Sequence, residues 1–406
     1  MAYTETTSTS YGQRLAGSAK GMIGGLLMFI IGTCLLWWNE GRTVRTAKAI
    51  GDAASHVESV ADVSKIDASL NGKLIHASAF ADTKDTLTDD MFGVREVAIR
   101  LDRKVEYYQW VENAQTKERE KIGGGKETTT TYTYEKKWVD KPVNSAEFKD
   151  PQYQSANKVL SEVEEREELA QNVTFGAYTL PESFVRSISG GEPAEVRMTE
   201  EQHFTWNEQL HVLMPQVDEK SSLVHTNANT VYLGVSPNSP QIGDVRVTFT
   251  KVPPADISLI AQVDGSTFKA YKAKNGQSFS RVQMGKVSAD EMLEHAKSEN
   301  NTWTWVLRVL GIMLVVGGLK AMFGLLPMLF KVLPFLGSIV GAGVGLVCWV
   351  FGVAWSFIII AIAWLVFRPI IGISLLAVSI AGIVFLKKQA AKRKAAQANA
   401  PAAPQA

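Results

Sequence analysis

Apolar runs lie toward both ends of the chain, and polar, locally alternating sequence lies between them. Residues 303–386 are apolar apart from a few cations, Arg308, Lys320, Lys331 and Arg368. A second run, residues 21–38, sits near the N-terminus. At the lower end of the ~17–25 residues a spanning helix needs, it closes on Trp37 and Trp38, as interfacial aromatics do. No small-residue cleavage site directly follows it, so the run reads as a retained anchor rather than a signal peptide. Trp303 and Trp305 mark the return to the bilayer. Residues 332–367 would form a helix about 54 Å long, well beyond a ~30 Å hydrocarbon core, which fits either one long helix or a tight pair.

The middle of the chain alternates as strands do. Residues 57–63 and 73–80 flank an Asn71-Gly72 turn. A long hairpin is expected from Val97, Ile99, Leu101, Val105, Tyr107 and Val111 on one side and residues 128–139 on the other, with the charged stretch 112–127 as a flexible tip. Its Gly123-Gly124-Gly125 lacks the spacing and following hydroxyl of a phosphate loop and reads as a turn. Residues 151–171 are expected to form an exposed acidic helix, and 185–188 a strand. Further strands are expected at 231–235, 243–252, 257–263 and 267–271, punctuated by Pro237, Pro240, Pro253-Pro254 and Asp264-Gly265. A short capped helix over 288–298 then leads to the membrane. The expected fold is a membrane protein with an α+β extracytoplasmic domain between one N-terminal and three C-terminal transmembrane helices. Its parts are a mobile segment (1–20), transmembrane helix 1 (21–38), the domain (39–302), a three-helix block (303–386) and a basic tail (387–406).

Charge sets the polarity of this arrangement. Lys387, Lys388, Lys392, Arg393 and Lys394 follow the last apolar run, 370–386, and belong in the cytoplasm by the positive-inside rule. With three crossings in the block, which is the expectation, the domain lies outside the cytoplasm; four would put the domain and the tail on one side. Arg308, about one turn inside its segment, is expected to snorkel to the headgroups. The two cysteines, Cys34 and Cys348, both fall in apolar runs, so the domain carries no disulfide framework. That favours a bacterial envelope protein, expected in the inner membrane with a periplasmic domain, or a protein that never relied on oxidation. The formal charge of +1 gives no bias toward nucleic acid.

Candidate chemistry is sparse. His203, His211 and His225 are spaced by eight and fourteen, which does not suit a shared metal on one helical turn. The chain has no nucleophile elbow and no His-Glu-x-x-His. No catalytic, cofactor or metal residues are assigned. Glycines four apart, Gly17, Gly21 and Gly25 and again Gly337, Gly341 and Gly345, instead mark faces on which helices approach closely, within one chain or between copies. The partners expected are the lipid bilayer, other membrane proteins and further copies of this chain, with no nucleic acid. An envelope enzyme acting on lipid or peptide and an oligomeric pore are the competing readings.

Several stretches together resemble the transmembrane protein 43 family, also called LUMA. They are Asn39-Glu40-Gly41-Arg42, Tyr108-Gln109-Trp110-Val111-Glu112 followed by Thr131-Tyr132-Thr133-Tyr134 and Trp138, Gly243-Asp244-Val245-Arg246-Val247, and Trp364 with Phe367-Arg368-Pro369. The resemblance implies a scaffold that oligomerises and organises other membrane proteins. For animal members it implies the endoplasmic reticulum and inner nuclear membrane, with a lumenal domain and both termini in the cytoplasm or nucleoplasm. It supplies no catalytic residues.

Overall fold

The computed structural model describes residues 2–330, 334–370, 372–374, 377, 387 and 388, with the side chains of 334–338 left aside. The helices of the described residues are α1 (Tyr11–His56), α2 (Glu182–Val185), α3 (Glu200–Leu213), α4 (Ala289–Met322), α5 (Leu325–Phe330) and α6 (Pro334–Phe367). The chain divides into a domain unit (1–9, 49–120 and 126–296) and a membrane unit (10–48, 121–125 and 297–406). Among the described residues three helical segments are long and apolar enough to cross a bilayer: Tyr11–His56, Ala289–Phe330 and Ile339–Phe367. The protein is an integral membrane protein with an α+β domain between its apolar ends. Most of the expected last crossing and of the basic tail, and the packing of Gly337, lie outside the described residues.

Two large sheets and two small two-stranded ones build the domain unit among the described residues. The first is centred on the hairpin of Arg100–Glu120 and Lys126–Val139, with Val245–Val252 antiparallel to the first of these strands and Thr230–Leu233 beyond it. The second runs through Leu74–Thr83 and Ala255–Asp264, paired from Ala255↔Ala81 to Gln262↔Leu74. Their apolar faces share one core, in which Val105, Val247 and Phe249 join Ala77, Phe175, Val263 and Phe268. Residues 257–261 are buried without alternation, so both faces of that strand are covered. Ile260 and Leu74 meet Ile50 and Ala53 of α1 and Met292, Leu293 and Ala296 of α4 on the face away from the shared core.

Several sequence expectations change here. Residues 151–171 are not a helix: they hold one 3-10 turn, Pro151–Tyr153, and a short strand, Arg166–Leu169, paired to the hairpin. Like charges three and four apart, as at Glu164, Glu167 and Glu168, oppose a helix. The chain is held extended instead, with Leu160 and Val163 buried. The Arg103 side chain donates to the Glu164 carbonyl at 2.8 Å, and the Tyr107 hydroxyl to that of Val163 at 2.7 Å. The stretch 112–120, expected in a flexible tip, is strand. Only 121–125 turn, with Gly123 and Gly124 at positive φ. Residues 2–9, expected to be mobile, pair with 126–133. Expected as a strand, 185–188 begins inside α2. α3 was not anticipated, although Thr199 and Gln202 make a reciprocal capping box. The short helix expected at 288–298 is the start of α4, capped by Ser288 and unbroken into the apolar run.

In the membrane unit α1 and α4 run antiparallel, and glycines set their separation. A Cβ on Gly25 would fall 2.7 Å from the Gly318 carbonyl oxygen, and one on Gly318 would fall 2.6 Å from the Phe29 nitrogen. One on Gly32 would lie 2.9 Å from Val315 N and one on Gly311 2.7 Å from Leu36. Each pair is spaced by seven residues, the repeat that keeps one face of a helix on its partner. Leu36, Val315 and Ile360 form the apolar centre at which α6 joins. Gly17 and Gly21 meet nothing within 4 Å. Replacing Gly318 by Val should therefore cost roughly 1–3 kcal/mol of overpacking, while Gly21→Val should be near neutral. Thermal unfolding in detergent reads both, and equal shifts for the two would contradict this packing.

Candidate functional site: a polar joint in the membrane unit

Where the apolar run of α1 ends, the sequence turns to Asn39-Glu40-Gly41-Arg42-Thr43, still helical. Successive residues of a helix point about a quarter-turn apart. Asn39 and Thr43 therefore share the face toward α4, while Glu40 reaches between α4 and α6. Glu40 is fully buried. Its carboxylate accepts from Arg308 Nε at 2.6 Å and Nη2 at 2.9 Å, a two-point pairing that fixes the guanidinium plane. Trp364 Nε1 of α6 donates to the second oxygen at 2.8 Å. The guanidinium carbon also lies 4.9 Å from the Trp305 ring centroid and 5.8 Å from that of Trp364. Arg308 does not snorkel: it is buried and paired, because an acid from the neighbouring helix meets it at the same depth.

Toward the polar end of the same helix pair, the hydroxyls of Thr43 and Thr304 are 2.7 Å apart. Asn39 Nδ2 donates to the Thr304 carbonyl at 3.0 Å, and Asn300 Nδ2 to that of Thr43 at 3.1 Å. Arg42 links these amides, donating to Asn300 Oδ1 at 3.1 Å and to Asn39 Oδ1 at 3.3 Å. Gly41 serves a different purpose. A Cβ there would meet the Phe367 ring at 2.9 Å, so glycine lets the end of α6 rest on α1. Arg368 stacks over Trp364 at 5.8 Å where α6 ends, just before Pro369. The first and last motifs, distant in sequence, thus form one joint among three helices.

The other two motifs meet in the domain unit. Tyr108 N donates to the Asp244 carbonyl at 2.9 Å, and Gly243 N to that of Tyr108 at 3.0 Å. Gln109 is fully buried, its amide donating to Lys158 O and accepting from Val143 N. Trp110 exchanges backbone hydrogen bonds with the Asn157 side chain and packs edge-on to Tyr153. Arg246 pairs with Glu106 at 2.7 Å and covers the Trp138 ring at 4.4 Å. Asp244 is fully buried and accepts from Tyr232 Oη and from Gln241 N. Its Oδ1 has no partner, and the Cα of Gly234 closes over that atom, where a Cβ would come within 2.3 Å. Burial pushes the Asp244 carboxyl above its ordinary value. His211 and His225 bond to backbone carbonyls of Ser221 and of Gly234 and Val235.

Asn300, Thr304, Gly32, Gly311 and Gly318 were missed from sequence. The seven-residue spacing of Gly25 with Gly32 and of Gly311 with Gly318 was the available signal, beside the more conspicuous spacings of four. Two outcomes follow from this geometry. Glu40→Ala or Arg308→Ala alone strands a buried charge and should cost roughly 3–5 kcal/mol. Replacing both together by Gln and Met should cost clearly less than the two losses combined, measured as a double-mutant cycle in detergent. For Asp244 the folded-state pKa is raised, so the folded chain holds a proton that the unfolded chain has released above about 3.9. Stability relative to Asp244→Asn should therefore rise as pH falls through the folded pKa toward about 4. A pH-independent difference in melting temperature would contradict it.

The Transmembrane protein 43 family matches residues 107–369. Transmembrane protein 43 of Rattus norvegicus is 28% identical over 370 residues, covering 88% of this chain and 87% of its own. That of Homo sapiens is 26% identical over 394 residues, covering 94% and 93%. A Transmembrane protein 43 homolog of Drosophila melanogaster is 27% identical over 365 residues, covering 87% and 90%. No solved structure matches the chain. With the family matched across more than half of the sequence, from the domain hairpin to the end of α6, the chain belongs to the Transmembrane protein 43 family.

Proposed function

We propose that this protein is a non-catalytic membrane scaffold: its domain meets other membrane proteins or lipid, and its chains self-associate through α6. The observation that carries the reading is how the membrane unit spends its buried polar groups. Glu40, Arg308, Asn39, Asn300, Thr43 and Thr304 donate and accept among themselves across helices. Such a set joins helices rigidly and leaves its donors and acceptors engaged rather than turned toward a substrate. The domain motifs are used in the same way, to tie the hairpin to its neighbouring strand.

Self-association rests on the outer face of α6. Gly341 lies 3.7 Å from Pro327 of α5 by its would-be Cβ, whereas Gly345 meets nothing within 4 Å. A helix of a second copy would find close backbone approach at Gly345, beside exposed Leu346 and Trp349. For compartment we take the endoplasmic reticulum and inner nuclear membrane with a lumenal domain, in line with the family resemblance and with relatives that come from animals. The bacterial inner membrane has no such support.

The test is the mass distribution of the full chain in mild detergent. Wild type should run as an oligomer, and Gly345→Leu should move most of it to monomer without changing the melting temperature. Wild-type protein at monomer mass, or an unchanged distribution in the variant, would overturn self-association through this face.

A further inference from the structure

Between α4, α5 and α6 lies a cavity of about 550 Å³. Leu319, Phe323 and Leu326 form one wall, and Gly343, Val347 and Phe351 the other. The volume falls within the ~300–1,000 Å³ of sites that hold small molecules, and the lining is apolar, with the buried Cys348 thiol as its softest group. Gly343 widens the opening, since its missing Cβ would touch nothing within 4 Å. A lipid chain is the solvent at this depth, but a lining of this kind does not by itself select one lipid over another.

Lys320 supplies the selection. It follows the wall residue Leu319 directly and lies in the last turn of α4, about a quarter-turn round the helix from the cavity wall. Arg308, the other cation of this part of α4, is paired with Glu40. Among the described residues Lys320 has no hydrogen-bonding or ionic partner. An ammonium beside an apolar cavity complements a molecule with a long hydrocarbon part and an anionic head.

We propose that this cavity holds an acyl chain of an anionic phospholipid, with the lipid phosphate on Lys320. The carrying juxtaposition is an apolar slot with an unpartnered cation next to it, inside the membrane unit. Gly343 makes room for the chain, and Lys320 distinguishes the headgroup.

The experiment uses the full-length protein in nanodiscs of phosphatidylcholine containing phosphatidylglycerol, with a photoactivatable diazirine on the acyl chain of one lipid or the other. Crosslinked residues are mapped by mass spectrometry, and retained lipid is counted by native mass spectrometry. Crosslinks should concentrate on Leu319, Val347 and Phe351, and phosphatidylglycerol should be retained about fivefold over phosphatidylcholine, the effect of one lysine near a headgroup. Lys320→Ala should abolish that preference while leaving crosslinking in the slot. Gly343→Leu should lower crosslinking by both lipids, with an unchanged melting temperature showing that the helices still pack. Three results would overturn the proposal: crosslinks no denser here than at lipid-facing Ile30, equal retention of the two lipids by wild type, or an unchanged preference in Lys320→Ala. Displacement of phosphatidylglycerol by inorganic phosphate alone would likewise overturn it, assigning Lys320 to free anions.

Discussion

The pairing of Glu40 with Arg308 is the constraint on which the membrane unit depends. A carboxylate and a guanidinium taken out of water carry a desolvation penalty of several kcal/mol each, offset only by close geometry and full hydrogen bonding. Both conditions are met, because two guanidinium nitrogens and the Trp364 indole supply three donors to the Glu40 carboxylate. The consequence is more about register than about net stability. Sliding α1 along α4 by even one turn would leave a buried charge without its partner, whereas an apolar seam would tolerate such a slip.

Glycine and charge then act together. The seven-residue glycine pairs bring the backbones of α1 and α4 close, and that closeness lets short polar side chains, Asn39, Thr43, Asn300 and Thr304, reach across. Gly41 does the same for α6 by admitting Phe367. In the domain, Gly234 leaves room for a buried acid, Asp244. The four sequence motifs therefore resolve into two structural joints, one in each unit. The scaffold proposed above would need surfaces held at fixed spacing, which joints of this kind provide.

Much of this was legible beforehand, for identifiable reasons. The apolar runs and the hairpin announced themselves because periodicity survives in single sequences, and the strands at 245–252 and 255–264 fell within two residues of expectation. The acidic stretch 162–168 misled because a run of glutamates resembles an exposed helix, while its fate was set by the hairpin edge to which it pairs. Arg308 misled because a lone cation near a helix end ordinarily snorkels, and its acid lies far away in sequence. Glu40 and Arg308 could be read as partners only once α1 and α4 were known to run antiparallel. Of the glycines proposed for packing, Gly25 meets α4 directly, while Gly17, Gly21 and Gly345 present open faces.

The central claim is the register of α1 on α4, and disulfide trapping in intact membranes tests it most directly. With Cys34 and Cys348 replaced by Ser, cysteines at positions 43 and 304, whose native hydroxyls are 2.7 Å apart, should oxidise rapidly to an intrachain disulfide. A pair shifted by two turns, at positions 43 and 311, should not. Failure of the first pair to crosslink, or equal crosslinking of the shifted pair, would contradict the account.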